Sequence, residues 1–234
     1  GRTKNSASIG DFKGINNSEE ARKFLLEVLH SNTVRVAVDT ETTALYPRDG
    51  YVLGVSISYK PLHGRYILTD ILDDTHLELL DQIFTKYPIV FHNMKFDYKM
   101  IKYHLGLDFN RSRVDDTMVM HYVLDETDSH GLKQLALKYT NYGDYDEELE
   151  VFKKEYCSKH GMLQEDFTYD LIPYDIMSKY ASIDTAVTWE LAAKFKPIIE
   201  ANPRFKWVYE NLLIRGTLFL MDMEEVGIPI STTR

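Results

Sequence analysis

The chain has 234 residues, enough for one large domain or for one domain with a piece of another. Its 44% hydrophobic and 12% aromatic residues support a buried core, and the sequence contains no apolar run of membrane-spanning length. The net charge of −9 has the wrong sign for a protein that grips nucleic acid through its own charge alone. It favours a site that holds cations and acts on an anion through them.

The start of the chain and its single cysteine limit the possible classes further. Residues 1–16 lack an apolar signal region, and we interpret them as a flexible leader. Cys157 cannot form an internal disulfide and suits a reducing compartment. Cys157 and His160 have a ligand-like spacing, but no second pair follows, so we do not expect zinc.

Periodicity predicts mostly strands early in the chain and mostly helices later. Strands are expected at residues 34–43, 51–59, 65–69 and 89–93. Helices are expected at residues 17–30, 75 to about 88, 96–105, 116–124, 131–139, 173–200 and 205–225. Residues 141–170 are acidic and tyrosine-rich, with irregular periodicity. The pattern indicates an α/β domain with a mixed sheet flanked by helices.

Two carboxylates follow the most apolar of these strands. Side chains alternate along a strand, so Asp39 and Glu41 share one face, and Val34, Val36 and Val38 share the other. Adjacent carboxylates repel each other unless a cation lies between them. Asp-x-Glu also occurs at 146/148 and 222/224, where a solvated charge pair is the simpler interpretation. Only the first pair is placed and oriented to share a divalent metal ion.

Two further acidic motifs follow in the chain. Asn93 and Asp97 come directly after a short strand, and Asp97 could instead only cap the next helix. Tyr180 and Asp184 lie four residues apart, on one face of the long predicted helix. A surface Asp beside a core Tyr is the competing interpretation of that pair.

The order Asp-x-Glu, Asn-x-x-Phe-Asp, Tyr-x-x-x-Asp resembles the three motifs of the DEDD 3′–5′ exonuclease superfamily, tyrosine subclass. Four segments are similar to the proofreading domain of family A DNA polymerases. They are Val-Asp-Thr-Glu-Thr, Asn-Met-Lys-Phe-Asp, residues 115–124 and Lys-Tyr-Ala-Ser-Ile-Asp. The resemblance covers residues 20–200 and implies a ribonuclease H-like fold. Residues 205–234 are similar to the start of a polymerase domain, so we expect a truncated chain with an exonuclease domain at 17–204 and no polymerase activity of its own.

The resemblance also implies site residues and cofactors. Four acids correspond to the family's metal ligands, and a tyrosine hydroxyl would orient the nucleophile rather than deprotonate it. These catalytic residues are Asp39, Glu41, Asp97, Asp184 and Tyr180. Asp39 would bridge two divalent cations, Mg²⁺ or Mn²⁺, which oxygen ligands select, and Asp97 would support the second partly through water. Leu45 matches a residue that wedges against the 3′-terminal base, and Asn93 matches one near the scissile strand, whereas Tyr145 is a weaker candidate for a DNA contact.

The expected activity is removal of nucleoside 5′-monophosphates from the 3′ end of DNA. The expected partners are a single-stranded 3′ end and a polymerase domain in the full-length chain. We expect a monomer without a membrane partner, in the cytoplasm of a bacterial, phage or viral setting or in another reducing, DNA-containing compartment. Replacing Asp39 or Asp184 with alanine is expected to abolish hydrolysis and leave the fold intact, because one carboxylate fewer relieves repulsion.

Two other functions remain open from the sequence. A free-standing exonuclease of the RNase D or Werner type would share all three motifs and would act on RNA or DNA. A non-catalytic module would keep the fold only to position DNA. The intact acids oppose the second alternative, and the polymerase-like segment after residue 205 opposes the first.

Overall fold

The computed structural model describes residues 10–227, and a mixed six-stranded sheet forms the centre of this part of the chain. The strands are β1 (Asp11–Ile15), β2 (Val36–Thr42), β3 (Val52–Ser58), β4 (His63–Leu68), β5 (Ile89–Phe91) and β6 (Asp115–Asp116). Their spatial order is β1-β4-β3-β2-β5-β6. Strands β2, β3 and β4 form the predicted antiparallel meander, and the other neighbours pair in parallel. The predicted mixed sheet is confirmed, and β2 lies in its interior.

Helices flank this sheet close to the predicted positions. They are α1 (Ser18–His30), α2 (Asp74–Lys86), α3 (Met94–Leu105), α4 (Thr117–Leu124), α5 (Leu132–Tyr139), α6 (Glu147–His160), α7 (Tyr174–Ala201), α8 (Pro203–Trp207) and α9 (Arg215–Val226). A π-helical stretch, Val208–Ile214, joins the last two. Within residues 10–227, no helix has both the length and the apolar character needed to cross a bilayer.

Two segments are more ordered than the sequence analysis expects. Residues 11–15, placed in the leader, form the edge strand β1, whose register runs from Asp11 opposite His63 to Ile15 opposite Ile67. Residues 1–9 of that leader lie outside the described residues. The irregular stretch 141–170 contains α6, whose first turn holds three glutamates and whose last turn holds Lys159 and His160. Those charges complement the helix dipole, and Leu149 and Cys157 are the buried residues of this helix.

The long helix α7 lies very close to the sheet. A Cβ atom at Gly64 would stand 2.0 Å from the Ser182 carbonyl oxygen, so any side chain there would push the helix outward. Asp184 lies two residues beyond Ser182 on this helix and is 6% exposed. A glycine in β4 therefore lets α7 bring a carboxylate close to the strands.

The segment after Asn202 packs on the same body. The Tyr209 hydroxyl donates to Asp115 Oδ1 at 2.7 Å and accepts from the Asp116 amide at 3.1 Å. Farther along, Arg111 pairs with Asp222 at 2.6 Å. These contacts join residues 203–226 to the strand β6 and to the loop before it.

Candidate metal centre

The strand β2 delivers the first two carboxylates as the alternation predicts. Val36 and Val38 are fully buried on one face, whereas Asp39 and Glu41 share the other. Val34 precedes the strand and is 66% exposed, so it does not belong to the predicted apolar row. The pairing register shifts between Glu41 and Thr42, which ends the regular ladder directly beside the acids.

Asp184 completes a three-carboxylate cluster. One oxygen from each of Asp39, Glu41 and Asp184 lies within 4.8 Å of the others. Glu41 and Asp184 are buried, and Asp39 is partly exposed. Across residues 10–227, no other group of three or more possible metal-binding side chains is this close together. The surface alternative for Asp184 is therefore wrong.

Asp97 is also buried, but it lies outside that three-residue set. Its Oδ1 accepts hydrogen bonds from the Thr40 amide at 3.0 Å and from the Thr40 hydroxyl at 2.6 Å. Asp97 lies in the first turn of α3, after the N-cap residue Asn93, so the helix-capping alternative is wrong. Thr40 stands between Asp39 and Glu41 on β2. These two hydrogen bonds therefore hold Asp97 beside the strand that carries the Asp-x-Glu pair.

The crowding of carboxylates changes their pKa values. Removal from water, together with the charges of Asp97, Glu41 and Asp184, raises the pKa of Asp39 well above its ordinary value. Burial and the charge of Asp184 raise the pKa of Glu41 in the same way. Burial raises the pKa of Asp97 to about 7, against the opposing effect of the Thr40 hydrogen bonds. The metal-free cluster therefore resists full ionisation at neutral pH.

Asp184 differs from the other acids because it has its own donors. Lys133 on α5 places its Nζ 2.8 Å from Asp184 Oδ1, and the Tyr145 hydroxyl donates to the same oxygen at 2.5 Å. Burial alone would raise the pKa of Asp184, but the Lys133 ammonium and these hydrogen bonds lower it below its ordinary value. Sequence reasoning missed Lys133 entirely, and it treated Tyr145 only as a weak DNA contact.

Tyr180, the predicted orienting tyrosine, is 8% exposed and lies beside this cluster. Its ring centroid is 6.0 Å from that of Tyr145. Burial, followed by the charges of Asp184 and Glu41, raises the pKa of the Tyr180 hydroxyl well above its ordinary value. The phenol therefore stays protonated and cannot act as a base near neutral pH.

A buried aspartate outside the cluster shapes the second motif. Asn93 adopts a left-handed conformation with φ of 70°. The Asp116 carboxylate accepts hydrogen bonds from the Asn93 amide at 3.0 Å and from the Met94 amide at 2.8 Å. It also caps α4 by accepting a hydrogen bond from the Met118 amide at 2.9 Å. One side chain thus holds the turn that starts α3 and the start of α4. Its sequence signal is an Asp placed directly before a predicted helix.

The two predicted substrate contacts are accessible. Leu45 is 76% exposed in the loop after β2, and Asn93 is exposed at the start of α3. Both residues therefore stand at the surface, in the segments that directly follow β2 and β5.

The donor set of the cluster fits a divalent cation. All three groups supply carboxylate oxygens, which hard ions such as Mg²⁺ and Mn²⁺ prefer. Three like charges this close together are unfavourable without a compensating cation. The residues present therefore suit a metal centre at the end of β2.

Comparisons with known proteins agree with this geometry. A family profile described as "3'-5' exonuclease" matches residues 12–200. The chain is 47% identical over 235 residues to the DNA polymerase of Escherichia phage T5, and the match covers 97% of this chain and 28% of that protein. The chain thus spans less than a third of the polymerase it resembles.

Solved structures share the fold at low sequence identity. Brucella melitensis NrnC with bound Mg²⁺ superposes with a TM-score of 0.64 at 17% identity, covering 95% of this chain and all of NrnC. Escherichia coli RNase D, an exoribonuclease involved in structured RNA processing, gives a TM-score of 0.63 at 15% identity, covering 94% of this chain and 52% of RNase D. The fold is therefore the ribonuclease H-like exonuclease fold. The chain belongs to the 3′–5′ exonuclease domain family that is related to the family A DNA polymerases.

Proposed function

We propose that the chain is a metal-dependent 3′–5′ exodeoxyribonuclease that releases nucleoside 5′-monophosphates, as the proofreading part of a family A DNA polymerase. The observation that carries the proposal is the convergence of Asp39, Glu41 and Asp184 within 4.8 Å. The exonuclease family match over residues 12–200 supports the same chemistry.

The four acids have separate roles in this proposal. Asp39, Glu41 and Asp184 would hold one divalent cation, and Asp39 with Asp97 would support a second. Bound cations would lower the pKa of the attacking water and offset negative charge on the phosphoryl group. Thr40 keeps Asp97 in place through its two hydrogen bonds, so the protein supplies the arrangement of the acids before any substrate binds.

The polymerase setting is supported by the phage T5 relative. We propose that residues 17–204, together with β1, form the exonuclease domain and that 205–234 begin a polymerase domain, the partner in a longer chain. DNA is then the substrate, with Leu45 against its terminal base and Asn93 near the scissile strand. We further propose a monomer that works in a reducing compartment such as bacterial cytoplasm, where the buried thiol of Cys157 stays reduced.

The direct test is degradation of 5′-labelled single-stranded DNA, with Mg²⁺, with Mn²⁺ and with EDTA. A metal-dependent ladder that shortens from the 3′ end would support the proposal. An RNA strand of the same sequence is the matched comparison. Absence of degradation with either metal, at high enzyme concentration, would contradict the activity proposed for this chain.

The RNA arm decides the second candidate function. The second candidate is a free-standing nuclease of the RNase D type that acts on RNA, and the exoribonuclease RNase D shares this fold. Faster degradation of RNA than of DNA would support that candidate instead. DNA binding without hydrolysis would support a non-catalytic positioning module.

Two tyrosines beside Asp184 are expected to respond differently to loss of their hydroxyls. Tyr180→Phe should lower the turnover number roughly tenfold, as expected for losing one hydrogen bond of about 1.4 kcal/mol in the transition state, and leave the melting temperature unchanged. Tyr145→Phe removes a hydrogen bond to a charged acceptor and should lower the free energy of unfolding by about 2 kcal/mol.

Turnover and thermal melting, measured on both variants, check this pair. Tyr139→Phe on α5 is a control that retains an aromatic side chain away from the acids. Unchanged turnover in Tyr180→Phe would remove that hydroxyl from the reaction.

A further inference from the structure

A positively charged side chain, that of Lys133, lies beside the carboxylate cluster. Lys133 extends from α5 and places its Nζ 2.8 Å from Asp184 Oδ1. The same nitrogen lies 4.6 Å from the centre of the Tyr180 ring and 5.2 Å from that of Tyr145. The side chain of Lys133 is only 30% exposed. Two aromatic faces and a carboxylate thus hold this ammonium, which confines it to the cluster.

The other end of the same helix offers a contrast. Lys138 pairs with Asp128 at 2.7 Å and is 51% exposed. Asp128 has no role in the site, and its side chain is 39% exposed. Lysine on α5 is therefore not always directed into the acids, and the position of Lys133 is particular to it.

Asp184 has one carboxylate oxygen that neither Lys133 nor Tyr145 uses. Lys133 and Tyr145 both donate to Oδ1. The carboxylate can therefore present Oδ2 to an ion without losing either hydrogen bond. An ion at the cluster and the ammonium would then share one acid, and their positive charges would repel each other.

We infer that Lys133 is a built-in counter-ion of the carboxylate cluster, which stabilises the metal-free site and weakens its hold on a divalent cation. The inference rests on the proposed function, because it assigns the cluster to metal binding. Asp39, Glu41, Asp97 and Asp184 bring four carboxyl groups together, and Lys133 is the residue that forms an ion pair with one of them in the described part of the chain. Removing its charge leaves the acids to repel one another and gives a metal ion a more negative site.

The test measures Mn²⁺ affinity by electron paramagnetic resonance, and thermal melting in EDTA, on the full 234-residue chain. Lys133→Met and Lys133→Gln remove the charge, and the glutamine keeps a hydrogen-bond donor. Lys133→Arg keeps the charge, and Lys138→Met is the matched control on the same helix. Both uncharged variants should bind Mn²⁺ about tenfold more tightly, as expected for removing a unit charge a few ångströms from a divalent ion. Both should melt at lower temperature in EDTA, whereas Lys133→Arg and Lys138→Met should behave like the wild type.

Equal or weaker Mn²⁺ binding by both uncharged variants would overturn the inference, since the lysine would then only orient Asp184. An unchanged melting temperature in EDTA would overturn it as well. These outcomes differ from failure of the proposed function, in which the wild type neither binds Mn²⁺ nor degrades DNA. In that case the melting comparison in EDTA still decides whether Lys133 stabilises the acids.

Discussion

Replacing Asp39 with asparagine is expected to lower hydrolysis about a thousandfold, equivalent to about 4 kcal/mol of lost transition-state stabilisation. The same change should stabilise the metal-free protein. Asp39 is the acid whose pKa is raised by burial and by three neighbouring carboxylates, so a neutral amide relieves repulsion there. A gain of about 1 kcal/mol would raise the melting temperature by roughly 2–4 °C for a chain of this size.

DNA degradation with Mg²⁺ and thermal melting in EDTA measure the two effects on one preparation. Asp81→Asn is a suitable control, because Asp81 is an exposed acid on α2, outside the cluster. The stabilisation of Asp39→Asn over the wild type should shrink as the pH falls. At low pH the Asp39 carboxyl of the wild type is protonated, and a neutral carboxyl repels its neighbours no more than the asparagine amide does. A variant that is inactive but melts well below the wild type would contradict this interpretation.

Replacing Asp184 with alanine should also abolish hydrolysis, but it should destabilise the metal-free protein. The sequence does not distinguish the surroundings of Asp39 from those of Asp184. Relief of repulsion between carboxylates alone therefore predicts an intact fold for the alanine variants of both residues. In the structure, Asp184 accepts hydrogen bonds from Lys133 and Tyr145 on one oxygen. Removing it leaves a partly buried ammonium and a buried hydroxyl without their acceptor, with a loss of about 2 kcal/mol after allowing for the partial exposure of Lys133.

Asp184→Asn is the matched variant, because its amide oxygen can still accept both hydrogen bonds. It should lose hydrolysis as completely as Asp184→Ala and keep most of the stability. Melting in EDTA and degradation with Mg²⁺ separate the two effects. Equal melting temperatures for wild type and Asp184→Ala would contradict the structural role assigned to Lys133 and Tyr145.

The sequence was sufficient to predict the strand that carries the first two acids. An apolar run followed by Asp-x-Glu shows the period of two that sets which side chains share a face. The positions of most helices followed from apolar periodicity in the same way, whereas α6 (Glu147–His160) did not. The prediction that Asp39, Glu41 and Asp184 form one metal site came from the order of the three motifs along the chain. The sequence around each acid gives no indication that the other acids lie nearby.

The environment of Asp184 could not be predicted from the sequence, because it depends on contacts between distant parts of the chain. Lys133 is 51 positions from Asp184, and in the sequence it is one more polar residue of an amphipathic helix. Tyr145 lies in the stretch without clear periodicity. The strand β1 was missed for a similar reason, since its polar composition indicates a strand only when β4 pairs with it.

The most direct test of the metal centre is anomalous diffraction from crystals of the protein soaked in Mn²⁺. We predict an anomalous peak within coordination distance of Asp39, Glu41 and Asp184, absent from crystals of Asp39→Asn treated in the same way. A wild-type crystal with no peak at these three carboxylates, or with Mn²⁺ bound only elsewhere, would contradict the central claim that they form the metal site of an exonuclease.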